Sequence, residues 1–154
     1  MTDDNQAPGE QQEHQFLVQR VYIKDLSLET PMGTDGFLIK QQPSINQDLG
    51  TETTKLTDDT YEAVLKLTIS ATIEDKTVFL IEIQQAGIFV VKGLKQEHLA
   101  QVLSTVCPNI LFPYARETID SCLVKASFPP LMIPPINFEA LYAQALKEKQ
   151  ETAH

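Results

Sequence analysis

Few residues in this sequence have side chains suited to making or breaking bonds, and they are dispersed. The histidines are His14, His98 and His154, and the two cysteines are Cys107 and Cys122. A zinc site needs Cys and His ligands at close paired spacings, and neither a C-x-x-C pair nor a ribbon spacing occurs. No metal or other cofactor is expected, and the cysteines read as reduced, small apolar packing residues. Nucleophilic catalysis would need a Ser, Cys or Thr with a base in reach, yet there is no G-x-S-x-G turn and neither cysteine has a His near it in sequence. The phosphate-cradling G-x-x-x-x-G-K-[ST] and G-x-G-x-x-G loops are also missing, which removes the usual nucleotide sites. Adjacent acids at Asp58-Asp59 and Glu74-Asp75 flank β-rich runs, where such residues end strands more often than they form acid–base dyads. Arg116-Glu117 reads as a structural charge pair. The residues point to binding, not catalysis.

Charge narrows the partners. Twenty-one acids against 12 bases give a formal charge of −9, and no Lys/Arg cluster is present to neutralise phosphates, so nucleic acid is a poor partner. Excess negative charge either keeps the chain soluble or favours a basic partner. The start, MTDDNQAPGEQQEH, has neither the charged beginning nor the apolar centre of a signal peptide. No run approaches the roughly 20 apolar residues of a membrane span. A cytoplasmic protein without direct membrane insertion is expected.

The elements that must carry any binding surface follow from periodicity. The 154 residues suit one domain. Residues 1–14 and 148–154 are polar and aperiodic and read as mobile tails around a domain of residues 15–147. Phe16 to Ile23 is dense in β-branched and aromatic residues and reads as a strand. Thr30 to Asp59 collects Pro31, Gly33, Gly36, Pro43 and Gly50 without a sustained period, which predicts a long connection with few regular elements. Tyr61 to Ile73 alternates strictly, with Tyr61, Ala63, Leu65, Leu67, Ile69, Ala71 and Ile73 on one face. After the polar turn Glu74-Asp75-Lys76, Val78 to Val91 completes an antiparallel hairpin, with a short fourth strand placed near Ile88 to Val91. Both faces of Val78 to Ile83 are apolar, which suggests cover by a second subunit. Leu99 to Val106 suits a helix that stops before Pro108. Pro113 suits the first turn of another, running through Ala115, Ile119, Leu123 and Ala126. FPPLMIPP, residues 128–135, must be extended. Asn137 then caps a last helix with Phe138, Leu141, Tyr142 and Ala145 on one side. The order is that of an α+β domain with an antiparallel sheet and packed helices.

Apolar side chains on irregular backbone stand out: Phe37 with its neighbours in the long connection, and the Pro-rich link before the amphipathic helix. As a set they could line a groove for extended polypeptide, with pockets taking side chains and free backbone groups giving hydrogen bonds. At this point longer blocks become decisive. QQAGIF (residues 84–89), CPNILFPYARE (residues 107–117) and NFEALY (residues 137–142), together with Gln19 to Asp25, Glu29 and Pro31, resemble the signature stretches of the SecB family. The likeness runs from Phe16 to Tyr142.

That resemblance implies a four-stranded antiparallel sheet with a long crossover loop and two main helices. It also implies a homotetramer, a dimer of dimers whose subunits pair through strands and whose dimers meet through the long helix. The function it implies is that of an ATP-independent chaperone, not an enzyme. Such a chaperone holds unfolded precursor polypeptides and delivers them to the SecA translocation motor. SecA docking would fall on Asp25, Glu29, Leu80 and Glu82. Groove positions would be Phe37, Tyr61, Phe138, Leu141 and Tyr142. The family commonly has Trp two residues before the proline matching Pro43, and here that position is Gln41. The C-terminal tail that helps bind SecA in the family is short in this chain. Two other readings are a SecB-like chaperone of a toxin–antitoxin system and a small oligomeric α+β enzyme. The second lacks a convergent polar site, and the matched SecA-facing acids speak against the first.

Overall fold

A computed structural model describes residues 13–152. Most of the N-terminal stretch 1–14, and residues 153–154, therefore lie outside the described residues. The order is β1 (Gln15–Glu29), a 3-10 turn (Gly33–Phe37), β2 (Ser44–Lys55), β3 (Thr60–Ile73), β4 (Lys76–Lys92), α1 (Gln96–Lys125) and α2 (Phe138–Thr152). The strands form one antiparallel sheet in the order β1-β4-β3-β2, so the crossover after β1 carries the chain to the opposite edge.

Hairpin β3–β4 closes through Glu74 and Asp75, both at positive φ (48° and 66°). That pair of left-handed residues is the signature of the tight turn whose twist matches a hairpin. The expected alternation holds: Tyr61, Ala63, Leu65, Leu67, Ile69 and Ala71 are all buried in one cluster with α1.

Four expectations change. The stretch Thr30–Asp59 is not mostly irregular, because Ser44–Lys55 pairs with β3 along its whole length. Its side chains are largely polar since β2 is an edge, with little of it buried. The fourth strand is thus β2, and Ile88–Val91 is simply the end of a continuous β4. No helix boundary falls at Pro108: α1 runs unbroken through Pro108 and Pro113. Each proline forfeits one backbone hydrogen bond, but the fully buried row Cys107, Leu111, Ala115, Ile119 and Leu123, at four-residue intervals, binds the helix to the sheet. Burying each Leu or Ile there contributes about 1.5–3 kcal/mol, enough to offset the lost bonds. Finally, α2 continues to Thr152, through residues 148–152 of the supposed tail.

The apolar excess around Val78 also has a local cause. Ala71 pairs with Phe79 and Thr72 with Thr77, so Val78 is an extra, bulged residue. Val78 and Phe79 both join the core, and this segment no longer argues for a covered second face.

β1 holds two such bulges, between Val18 and Arg20 and between Ile23 and Asp25. A bulge adds one residue and reverses the in–out phase of everything beyond it. With both in place, Phe16, Val18, Val21, Ile23, Leu26 and Leu28 all pair with odd-numbered β4 residues on the helix side. The broken apolar rhythm of β1 becomes regular only through those two insertions.

Across the helix-free side, the Tyr22 hydroxyl and the Lys24 ammonium both donate to the Glu62 carboxylate, Lys24 at 2.7 Å. Lys24's bond, then Tyr22's, holds the Glu62 carboxyl below its ordinary value. Burial, then the bond to Glu62, pushes the Tyr22 hydroxyl up to about 12.

Two outcomes test this account. A lowered folded-state carboxyl stabilises above the ordinary value of 4.5, and that contribution is lost as pH falls through the depressed one. Glu62→Gln should therefore remove part of the loss of stability on acidification below pH 4.5, measured by urea unfolding at fixed protein concentration. Second, a Cβ on Gly87 would lie 2.8 Å from the Phe89 ring and 3.0 Å from Leu111. Since Phe89 and Leu111 are fully buried and cannot yield freely, Gly87→Ala should destabilise by about 1–3 kcal/mol, the usual range for overpacking, with an unchanged denaturant slope.

Candidate functional site

Two apolar cavities adjoin β2. The first, of about 440 Å³, lies between α2 and the middle of β2, with Leu49, Gly50 and Thr51 on one wall and Phe138, Leu141, Tyr142 and Leu146 on the other. α2 is set over it by Asn137, whose Oδ1 accepts the Ala140 N–H at 3.0 Å, the capping bond the sequence indicates. Phe138 is buried against the edge of Phe112, ring centres 6.4 Å apart, and anchors the helix. Leu141 stays 45% exposed, so an apolar wall faces solvent.

The second cavity, of about 350 Å³, is bounded by the crossover (Gly36, Ile39, Gln41 to Pro43), by Ile45, by Val78 and Phe79, and by the link from Phe128 to Leu131. Its centrepiece is Phe128, whose ring lies 5.3 Å from that of Phe37 and 5.2 Å from that of Phe79. The end of α1 delivers Phe128 there. Ser127 takes a left-handed φ of 66°, the Phe128 N–H returns to the Leu123 carbonyl and the Ser127 N–H to that of Val124. This paired closure normally uses glycine at the left-handed position. Beyond it, Asp120 accepts the N–H groups of Leu131 (2.9 Å) and Met132 (3.3 Å), and Arg116 donates to the Ile133 carbonyl at 3.4 Å. The Pro-rich link is thereby pinned along α1.

The expected groove residues divide accordingly. Phe138, Leu141 and Tyr142 meet in the first cavity, and Phe37 stacks on the wall of the second. Tyr61 is in neither: it is 7% exposed and belongs to the core under α1, because its odd-numbered face of β3 is the covered one. Phe79, Phe128 and the β2 residues Leu49 to Thr51 went unrecognised. Phe128 carried a signal, as an aromatic fixed between a helix end and two prolines, whereas β2 carried almost none. Gln41 lines the second cavity.

Register brings the expected docking residues together. Glu29 pairs with Leu80, Ser27 with Glu82 and Asp25 with Gln84, so Asp25, Glu29, Leu80 and Glu82 all lie on the side of the sheet opposite α1. All three acids are exposed. On the same face Lys24 is engaged with Glu62 and Lys66 with Glu52 at 2.8 Å, while Arg20, opposite Ile88, makes no ion pair among the described residues.

Cys107 is fully buried and burial pushes its thiol up to about 12, which keeps it protonated and inert. Among the described residues no three His, Cys, Asp or Glu side chains gather as a metal site, and no helix is long and apolar enough to cross a membrane.

Residues 9–149 match the family described as SecB, preprotein translocase subunit SecB. Protein-export protein SecB of Hahella chejuensis is 51% identical over 97% of this chain and 92% of its own length. That of Cellvibrio japonicus is 47% identical over 99% and 93%. In fold, the chain is similar to the Mycobacterium tuberculosis SecB-like chaperone Rv1957, solved in complex with a ChAD peptide from the HigA1 antitoxin. The TM-score is 0.62 at 13% identity, covering 79% of this chain and 87% of that one. The long matched blocks, the sheet order and near-complete coverage agree, and the chain belongs to the SecB family of protein-export chaperones.

Proposed function

We propose that this chain holds unfolded precursor polypeptides in its two apolar cavities and presents them to SecA through the acidic, helix-free face of its sheet. The observation that carries the reading is the position of the cavities: both adjoin β2, whose outer edge has no strand partner among the described residues. An extended client could add backbone hydrogen bonds to that edge while its side chains enter the cavities, a mode that reads main chain more than sequence. Exposed Leu141, Leu146 and Phe37 supply apolar contact without a polar group that would select one client.

The working form is a tetramer in the cytoplasm. β1 is supported by its uncovered helix-side row: Phe16, Val18, Ile23 and Leu26 are 37 to 46% exposed, and α1 packs mainly on β4 and β3. A second copy pairing along β1 would bury that row. On α1, Val106, Tyr114 and Val124 are also exposed, a second apolar surface suited to joining dimers. No ATP is required in this scheme, and the chain acts as a carrier, not an enzyme. The 13%-identical Rv1957 is bound to an antitoxin peptide, but the acids matched at Asp25, Glu29 and Glu82 favour the export role.

Light scattering should give about four times the 17.3 kDa chain mass, and the protein should suppress aggregation of a slow-folding precursor without nucleotide. A monomer at micromolar concentration, or holding that needs ATP hydrolysis, contradicts the scheme. Leu141→Asp with Phe128→Asp should weaken precursor holding about tenfold or more, as expected for charges placed in apolar contacts, with SecA binding kept. Conversely, Asp25→Lys, Glu29→Lys and Glu82→Lys together should slow SecA association and reduce its salt dependence while leaving tetramer and holding intact. Unchanged SecA kinetics at both low and physiological salt would remove those residues from the docking face.

A further inference from the structure

We infer that the bulge at Lys24, braced by Glu62 on one side of the sheet and Gln85 on the other, is the positioning device that turns Asp25, Ser27 and Glu29 onto the helix-free face. The inference rests on the docking role proposed for that face. Ile23 pairs with Gln85 and Asp25 with Gln84, which leaves Lys24 as the extra residue. Were Lys24 to take a regular place in the ladder opposite Gln84, the period of two would send Asp25, Ser27 and Glu29 toward α1 and put Leu26 and Leu28 outside.

Three contacts hold the insertion. Lys24 reaches over β4 to the Glu62 carboxylate of β3 at 2.7 Å, and Glu62 keeps only 14% of its side chain exposed. Tyr22, two residues earlier, donates its hydroxyl to the same carboxylate. It pairs with Ala86, a small residue that leaves room for the phenol and the lysine to cross. From the helix side, Gln85 is 3% exposed and donates its Nε2 to the Tyr22 carbonyl at 3.0 Å, beside the bulge, while its Oε1 has no partner. A buried glutamine with one amide atom unpaired is costly, and its donated bond gives a reason for Gln at this position of a strand otherwise apolar on that side. Glu52 of β2 and Lys66 of β3 form a neighbouring pair on the same face, and Arg20, which shares the Ile88 row with Glu62, makes no ion pair among the described residues, so Lys24 is the cation that Glu62 bonds.

Lys24 also supplies a test whose sign separates two roles. Lys24 is a positive charge beside an acidic patch. If charge were its only influence, Lys24→Met would make the face more negative and speed association with a basic partner. As a positioning residue, its loss loosens the bulge and slows association instead.

SecA association should be followed by stopped flow on the tetramer for Lys24→Met, Lys24→Arg, Glu62→Ala and Gln85→Leu, with Asp25→Lys as control. A single cysteine at Ser27, in a background with Cys107 and Cys122 replaced by Ala, reports by thiol labelling which way β1 faces. The expected result is association slowed about tenfold in Lys24→Met and Glu62→Ala, with reduced labelling at position 27, near-parental behaviour in Lys24→Arg, and unchanged precursor holding. Faster or unchanged association in Lys24→Met, while Asp25→Lys still impairs docking, overturns the inference. Should Asp25→Lys have no effect, the docking role itself fails. The labelling then decides alone: position 27 equally reactive in Lys24→Met and Glu62→Ala overturns the positioning role, and reduced reactivity upholds it. Should Gln85→Leu fail to fold, the two outer-face variants carry the test without it.

Discussion

One helix is too narrow to cover a four-stranded sheet. Adjacent strands lie about 4.8 Å apart, so the outer axes of four are separated by about 14 Å, while a helix with its side chains is about 10 Å across. α1 settles over β3 and β4, where the fully buried side chains concentrate, and both edges remain short of cover. Much of the rest of the molecule answers this shortage. On the β2 side, α2 and the Pro-rich link come back over the sheet without sealing it, and the unsealed space is the pair of cavities. On the β1 side nothing among the described residues returns, and a row of apolar residues stays open. The same deficit of covering helix thus leaves open both the edge proposed to take client and the edge proposed to take a second copy.

The opposite face of the sheet is governed by a different rule, since no element packs on it among the described residues. Its composition is set by register, and register is set by where β1 gains extra residues. Lys66–Glu52 and Lys24–Glu62 are surface pairs, one half-exposed and one partly buried, and neither contributes much stability in isolation.

How much of this was legible in the sequence depended on how each residue is surrounded. β3 was read correctly since one face is buried and the other wet, which writes a clean alternation. β2 was missed because an edge strand with a solvated face needs few apolar residues, and Gly50 with several polar neighbours looks like loop. In β1 the apolar set is correct but its spacing is shifted twice, and only the pairing with β4 shows why. α1 was divided at Pro108 by a sound local rule that the buried four-residue row overrides. For the site, the resemblance supplied the acids that register then gathered on one face. Tyr61, expected in the groove, lies in the core, since an aromatic at a strand start looks the same in either place, and its odd position, shared with Leu65 and Leu67, indicates the covered face.

The two-residue closure between β3 and β4 has a consequence in time. Ile73 and Lys76 meet across a turn that is nearly preformed, whereas β1 must bring Gln15 to Lys92 and Glu29 to Leu80, closing far longer loops before any pairing is gained. Loop-closure entropy therefore orders assembly, with the central hairpin early and β1 late. The three strands β2, β3 and β4 can therefore pair before β1 joins. The surface proposed to face the motor is then finished after the central hairpin, together with the edge through which a second copy would attach.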